Sequence, residues 1–221
     1  MPELLTQLQC TAFVQALASR DPVPGGGGAS AITGSLGAAL CSMAGSLSAG
    51  RKSLEASREE LEQLLLQCQR IQTRLLELVE EDAAAFTPLS RAYSIPKGAP
   101  HRAKVMEQAT LAACQPPLEI MRACCQAIDL LSEMLGRSSP ALISDVGCGA
   151  LLCRAALESA SLNVYVNTRS LRDRTKAGAL EEKADTMLEH YLPLADRISR
   201  AVLRRLRSGS KPSASEGQKL C

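Results

Sequence analysis

From Pro22 to Gly50 the chain carries no charged side chain, and the run is mostly Gly, Ala and Ser. Few folds accept such a stretch. Sheets lean on Val, Ile and aromatics, yet the 221 residues hold no Trp, three Tyr and two Phe. A membrane-spanning helix needs about 20 predominantly apolar residues, and GASAITGSLGAALCSMAGSLSAG offers few Leu or Ile. A helix buried in protein fits better, because small side chains let neighbouring helices approach closely. With 46% hydrophobic residues the chain can bury a sizeable core, which Leu and Ala must fill. The expected fold is therefore all-α, a single-domain bundle of long helices.

The remaining periodicity agrees. Leu4, Leu5, Leu8, Phe13, Leu17 and Ala18 trace a first helix from Glu3 to about Ser19, which Asp21-Pro22-Val23-Pro24 ends. The uncharged helix follows Gly25 to Gly28 and runs to about Ala49. From Ser53 to about Tyr93, Leu54, Leu61, Leu64, Cys68, Ile71, Leu75, Leu78, Asp82, Phe86 and Leu89 share one helical face, with Pro88 expected to kink it. A loop around Pro96-Lys97-Gly98 leads to a helix from His101 to Cys114, and Pro116-Pro117 opens another reaching Leu135. Ser144-Asp145 has the chemistry of a helix start, an oxygen to cap free amides and an acid for the dipole. That helix ends near Asn167, and the last covers about Thr175 to Leu206. Residues 1–206 form the expected helical domain, and 207–221 a polar, disordered tail.

Net charge is +2, and no basic stripe carries stacking aromatics, so no nucleic-acid partner is expected. The cluster Arg197, Arg200, Arg204, Arg205, Arg207 and Lys211 reads as the solvated face and end of the last helix. The nine cysteines form no CxxC, and with only His101 and His190 available no zinc spacing can be assembled. No signal peptide and no membrane span are expected, and free thiols in a reducing cytosol are the simplest reading.

A few residues could carry chemistry. Glu80, Glu81 and Asp82 are consecutive, so a helix aims them in three directions, and only Asp82 is in phase with Leu75, Leu78 and Phe86. A carboxylate on an apolar stripe is costly unless paired or used. Burial would raise its pKa into a range suited to proton transfer. The alternative is an acid satisfied by an arginine or a helix N-terminus. Gly25, Gly26, Gly27 and Gly28 open a helix and could present free amides to an anion or planar ligand, or simply form a tight turn. The run is neither a Walker loop, since no Gly-Lys-Ser/Thr follows, nor a dinucleotide fingerprint, since no strand precedes it. Asn163 and Asn167 lie four apart, where two amides could read a heterocycle edge or bridge helices. Lys52 and Lys97 flank helix ends, where a cation could meet an acidic tail or face water.

Taken in order, these segments resemble the cyclodeaminase family, the C-terminal domain of formiminotransferase-cyclodeaminase. PVPGGGGASAITGSLGAALCSMAGSLSAGRK is similar to its Pro-x-Pro-Gly-Gly-Gly-Ser entry, small-residue helix and Lys exit. LLELVEEDAAAF is similar to its Asp-containing helix, and SIPKG to its Pro-Lys loop. SDVGCGALLCRAA and NVYVNTRSLRD resemble its Ser-Asp helix start and Asn-Val-x-x-Asn end. The resemblance spans residues 8 to 175. Gly28 departs from it where the family has Ser, and Ser138-Ser139 where it has Gly-Asn.

The resemblance implies a homodimeric helical enzyme acting on tetrahydrofolate derivatives, with no permanently bound cofactor and no metal. It puts Asp82 in the place of the catalytic aspartate. It implies substrate contacts from Gly25, Gly26, Gly27, Lys52, Lys97, Ser144, Asp145, Asn163 and Asn167, the lysines on the glutamyl tail. The first expectation is a cyclodeaminase, closing formimino-tetrahydrofolate to the methenyl compound with loss of ammonia. The second is a methenyltetrahydrofolate cyclohydrolase on the same scaffold. A non-catalytic helical interaction protein is the rival from another class.

Overall fold

A computed structural model describes residues 4–49 and 58–208. Among them there is no strand. A 3-10 turn, Leu5–Gln7, precedes seven helices: α1 (Cys10–Leu17), α2 (Gly26–Ser48), α3 (Arg58–Tyr93), α4 (Arg102–Ala113), α5 (Gln115–Arg137), α6 (Ile143–Thr168) and α7 (Arg174–Ser208). The expected all-α bundle is present. The expected first helix is shorter than its apolar spacing suggested, because Leu8 and Gln9 are extended and divide it into the turn and α1. Pro88 and Pro193 both lie inside continuous helices, α3 and α7. Helix α7 runs two residues past the expected domain end, and residues 209–221 lie outside the described residues, as do Lys52, Ser53 and Leu54.

Helix α2 is the axis of the bundle, lying against α3, α5 and α6. By length and composition it could also cross a membrane. Its sequence is a poor helix former, since each interior glycine costs about 1 kcal/mol relative to alanine. Packing offsets that cost. A Cβ on Gly37 would sit 2.4 Å from the Cys153 sulfur and 2.8 Å from the Gly149 carbonyl oxygen. A Cβ on Gly149 would in turn sit 2.9 Å from the Gly37 oxygen. Helices α2 and α6 therefore cross at backbone distance through two facing glycines. Gly34 admits the Cys124 sulfur and the Leu75 side chain, and Gly45 admits Met134 and Leu65.

Around this axis, Leu61, Leu75, Leu78, Leu118, Ile120, Met121, Ile128, Leu131, Leu157 and Ile198 are fully buried. The packing is aliphatic, as the scarcity of aromatics required. The eight described cysteines are all free thiols, six buried and two, Cys10 and Cys148, exposed. A smaller cluster of Leu89, Ala109 and Ala113, with Phe86 and Met106 at its edge, joins the far end of α3 to α4.

Two substitutions separate packing from propensity. Gly37→Ala forces a methyl into sulfur and backbone, and should cost about 2 kcal/mol, within the usual range for overpacking. Gly178→Ala adds a methyl on α7 with no atom within 4 Å, and should gain up to about 1 kcal/mol. Thermal melts of both variants beside the parent check the pair: a Gly37→Ala protein as stable as the parent would refute the backbone crossing.

Candidate active site at the N-terminus of helix α2

Helix α2 begins at Gly26, with Gly25 extended before it as the N-cap. The amides of the first turn have no intrahelical acceptor, and the N-cap Gly25 has no side chain to take them. Pro24 is buried behind this turn. Helix α3 passes beside it and delivers Asp82. The three neighbouring acids diverge as their helical phase requires. Glu80 accepts the Thr6 amide at 2.9 Å and holds the N-terminal segment against α3. Glu81 faces solvent and pairs with Arg74. Asp82 turns inward to α2.

There Asp82 fits a seat that only glycine provides. A Cβ on Gly27 would lie 2.3 Å from Oδ1, 2.4 Å from Cγ and 2.5 Å from Oδ2 of Asp82. The carboxyl group thus rests on the Gly27 backbone, where it accepts the N–H of Gly28. Burial pushes its pKa up to about 6, and the Gly28 bond holds it back only in part. The group is half-buried, so it keeps access to a ligand. The sequence alternative of an acid satisfied by a helix N-terminus is therefore partly realised: the same bond that satisfies the acid aims it.

Asn163 completes the cluster from α6. Its Nδ2 donates to the Ser159 carbonyl at 3.0 Å, and its Oδ1 lies 3.3 Å from the Cβ position of Gly26. Gly25, Gly26, Gly27, Asp82 and Asn163 are thus together at one end of the bundle. The arrangement offers a proton acceptor, backbone donors and an amide on three sides of one spot. Among the described residues, no three His, Cys, Asp or Glu side chains gather as a metal ion would require.

Of the other expected residues, those within the described chain lie elsewhere. Asn167 donates to the Ala113 carbonyl at 2.9 Å and ties α6 to the end of α4, which is the bridging alternative. Ser144 and Asp145 lie in the first turn of α6, about 28 Å along the helix from Asn163 at 1.5 Å per residue. They are not the cap either: Leu142 holds that position without a side-chain bond. Lys97 sits exposed at the tip of the α3–α4 hairpin, well over three helical turns past Asp82. Lys52 lies outside the described residues. Sequence reading offered the Gly28 amide to a ligand and not to Asp82, and it missed the buried Ser30, which reads as one more small residue.

A family model described as formiminotransferase-cyclodeaminase matches residues 9–186. The chain belongs to this family. Among curated proteins, the methenyltetrahydrofolate cyclohydrolase of Methylorubrum extorquens is 36% identical over 86% of this chain and 93% of its own length. The formimidoyltransferase-cyclodeaminase of Sus scrofa is 28% identical over 80% of the chain, which spans only 34% of that protein. The solved formiminotetrahydrofolate cyclodeaminase of Thermotoga maritima superposes with a TM-score of 0.79 over 91% of this chain and 97% of its own, at 23% identity. That likeness confirms the helical fold. The family match covers every element that builds the glycine turn, Asp82 and Asn163.

The glycine seat makes a sharp contrast between neighbours. Gly27→Ala should expel the Asp82 carboxyl, whereas a Cβ on Gly28 meets only Val79 and Pro24 at 3.6 and 3.7 Å, so Gly28→Ala should fold and keep the seat. Asp82 should also mark stability. Its pKa rises from 3.8 unfolded to about 6 folded, so its charge costs nothing below pH 3.8, costs progressively more up to pH 6, and a constant amount above. At about 1.4 kcal/mol per unit, Asp82→Asn should gain at most about 3 kcal/mol at pH 7.5 and nothing at the acid end. Denaturant melts across pH test this; a gain that does not change with pH would contradict the burial.

Proposed function

We propose that this protein is a methenyltetrahydrofolate cyclohydrolase, with Asp82 as the proton-transfer group. The observation that carries this is the Asp82 carboxyl seated on Gly27 at an open helix end, with its pKa raised to about 6 by burial. The choice between the two reactions of the scaffold rests on likeness. Among the curated relatives, the one matched along nearly its whole length is named a cyclohydrolase at 36% identity, and the formimidoyltransferase-cyclodeaminase of Sus scrofa is 28% identical and matched over a third of its length; the Thermotoga cyclodeaminase, matched along nearly its whole length, is 23% identical. The cyclodeaminase expectation therefore becomes the second reading.

The chemistry needs positioning and one base. The methenyl carbon lies between two ring nitrogens and is already an electrophile. Water adds to it, and Asp82, charged above pH 6, takes the proton that the water loses. The new hydroxyl becomes a formyl group as one C–N bond breaks. The freed nitrogen takes up a proton, and one proton is released overall. In this reading Asp82 returns its proton to that nitrogen, and the Gly26 and Gly27 amides stabilise the developing oxygen charge. Asn163 Oδ1 is an acceptor for ring N–H groups. Held beside the carboxylate, water and ring gain the usual advantage of proximity. In the second reading the bridging nitrogen attacks in place of water and ammonia leaves, through the same acid.

The protein is further proposed to act as a cytosolic homodimer. Along α2, Leu36, Met43 and Leu47 face outward, and along α6 Leu151, Leu162 and Val166 do, with Leu47, Leu162 and Val166 each more than 60% exposed. Helices α2 and α6 are neighbours, and in this reading their outward apolar side chains meet a second copy. The free thiols support a reducing compartment.

Purified protein offered methenyl-tetrahydrofolate should remove the methenyl absorbance, and ammonia release from the formimino compound should be slower. Faster ammonia release would favour the second reading. Asp82→Asn should lose about 10²–10⁴-fold in kcat/KM with unchanged helical circular dichroism, and kcat/KM of the parent should rise through pH 6 to a plateau. Near-normal turnover by Asp82→Asn would remove the acid from the mechanism. Leu36→Glu with Leu162→Glu should halve the mass seen by light scattering, and an unchanged mass would move the interface elsewhere.

A further inference from the structure

Behind the first turn of α2, two hydroxyls meet. Ser30 is buried, with 3% of its surface exposed. Its Oγ lies 2.7 Å from the Gly26 carbonyl and 2.8 Å from Oγ of Ser159 on α6. Ser159 Oγ also lies 2.7 Å from the Ala155 carbonyl of its own helix. It lies 3.2 Å from the Ala156 carbonyl as well. Two hydroxyls bring two protons to four contacts, so one proton joins the pair and the other reaches the helix carbonyls. The pair thereby joins α2 to α6.

The position of this link matters more than its strength. On the α2 side it grips Gly26, one residue before the Gly27 seat and two before the Gly28 N–H. On the α6 side it holds the residue whose carbonyl accepts the Asn163 amide at 3.0 Å. The Asn163 Oδ1, so oriented, returns to Gly26. Hydrogen bonds thus link Gly26 to Ser30, Ser30 to Ser159 and Ser159 to Asn163, and the Asn163 amide faces the Gly26 backbone beside the glycine turn. At 3% exposure Ser30 has no surface to offer a substrate.

We propose that Ser30 and Ser159 are positioning residues: their hydrogen bond fixes the first turn of α2 against α6, and so aims the Gly28 N–H at Asp82 and the Asn163 carbonyl into the site. This rests on the folate reading above. Without the pair, the turn relaxes, the Gly28 bond to Asp82 lengthens, and the acid loses the one contact that favours its charged form.

The test compares Ser30→Ala, Ser159→Ala, the double variant and Ser159→Thr with the parent, by pH-resolved kinetics on methenyl-tetrahydrofolate and by melting temperature. Each alanine variant should lose about tenfold in kcat/KM, the size of one net hydrogen bond. The acid limb of its pH profile should move upward. The double variant should fall no further than the worse single one, because both remove the same bond. Ser159→Thr, which keeps a hydroxyl on a half-exposed position, should restore rate and limb. An acid limb that stays in place in Ser30→Ala, or a rate loss that follows melting temperature alone, would overturn the proposal. If the parent turns over neither folate, the folate reading has failed by itself. The positioning claim is then decided by NMR titration of Asp82: a higher pKa in Ser30→Ala than in the parent upholds it, and an equal one ends it.

Discussion

Close approach of backbones along α2 is the constraint on which the rest of the molecule depends. The helix has little reason to form alone, with glycine recurring through it and almost no bulk. It forms because its neighbours can come nearer to it than to an ordinary helix. Gly37 meets Gly149 almost backbone to backbone, Gly34 and Gly45 admit sulfur and methyl groups, and Gly27 admits a carboxyl group. Structural and functional glycines therefore obey one rule. What differs is the partner: an aliphatic or thiol group along the shaft, and an acid at the open end.

That difference explains how a half-buried carboxylate is tolerated. A charge on the apolar face of α3 would ordinarily be a liability. Here it is placed at the one point on α2 where amides are unspent, and one of them partly offsets the desolvation. The remaining imbalance leaves the acid with a pKa of about 6, near the range in which a group both takes and returns protons. Stability given up at this position is what the proposed proton transfer draws on.

Much of this was legible in the sequence, for identifiable reasons. Asp82 was singled out by phase, because helical periodicity fixes direction and three adjacent acids cannot share one. The small-residue run announced a buried helix by what it lacked. Asn163 was found through its spacing to Asn167, but spacing could not say that one amide turns to the glycines while the other bridges to Ala113. Ser144 and Asp145 were grouped with the site because motifs in sequence order carry no distance, and a helix as long as α6 separates its two ends by most of the molecule. Ser30 and Ser159 escaped because serine in an alanine-rich helix looks like packing material until its partner across the interface is seen.

The Gly27 seat has an evolutionary consequence. A methyl at that position and a carboxyl at position 82 compete for the same volume, so the glycine cannot drift while the aspartate is kept. The two form one heritable unit split across distant parts of the chain. In sequences too divergent for overall similarity to mean much, joint retention of this glycine and this aspartate would mark descendants that preserved the chemistry, and joint loss those that kept only the scaffold.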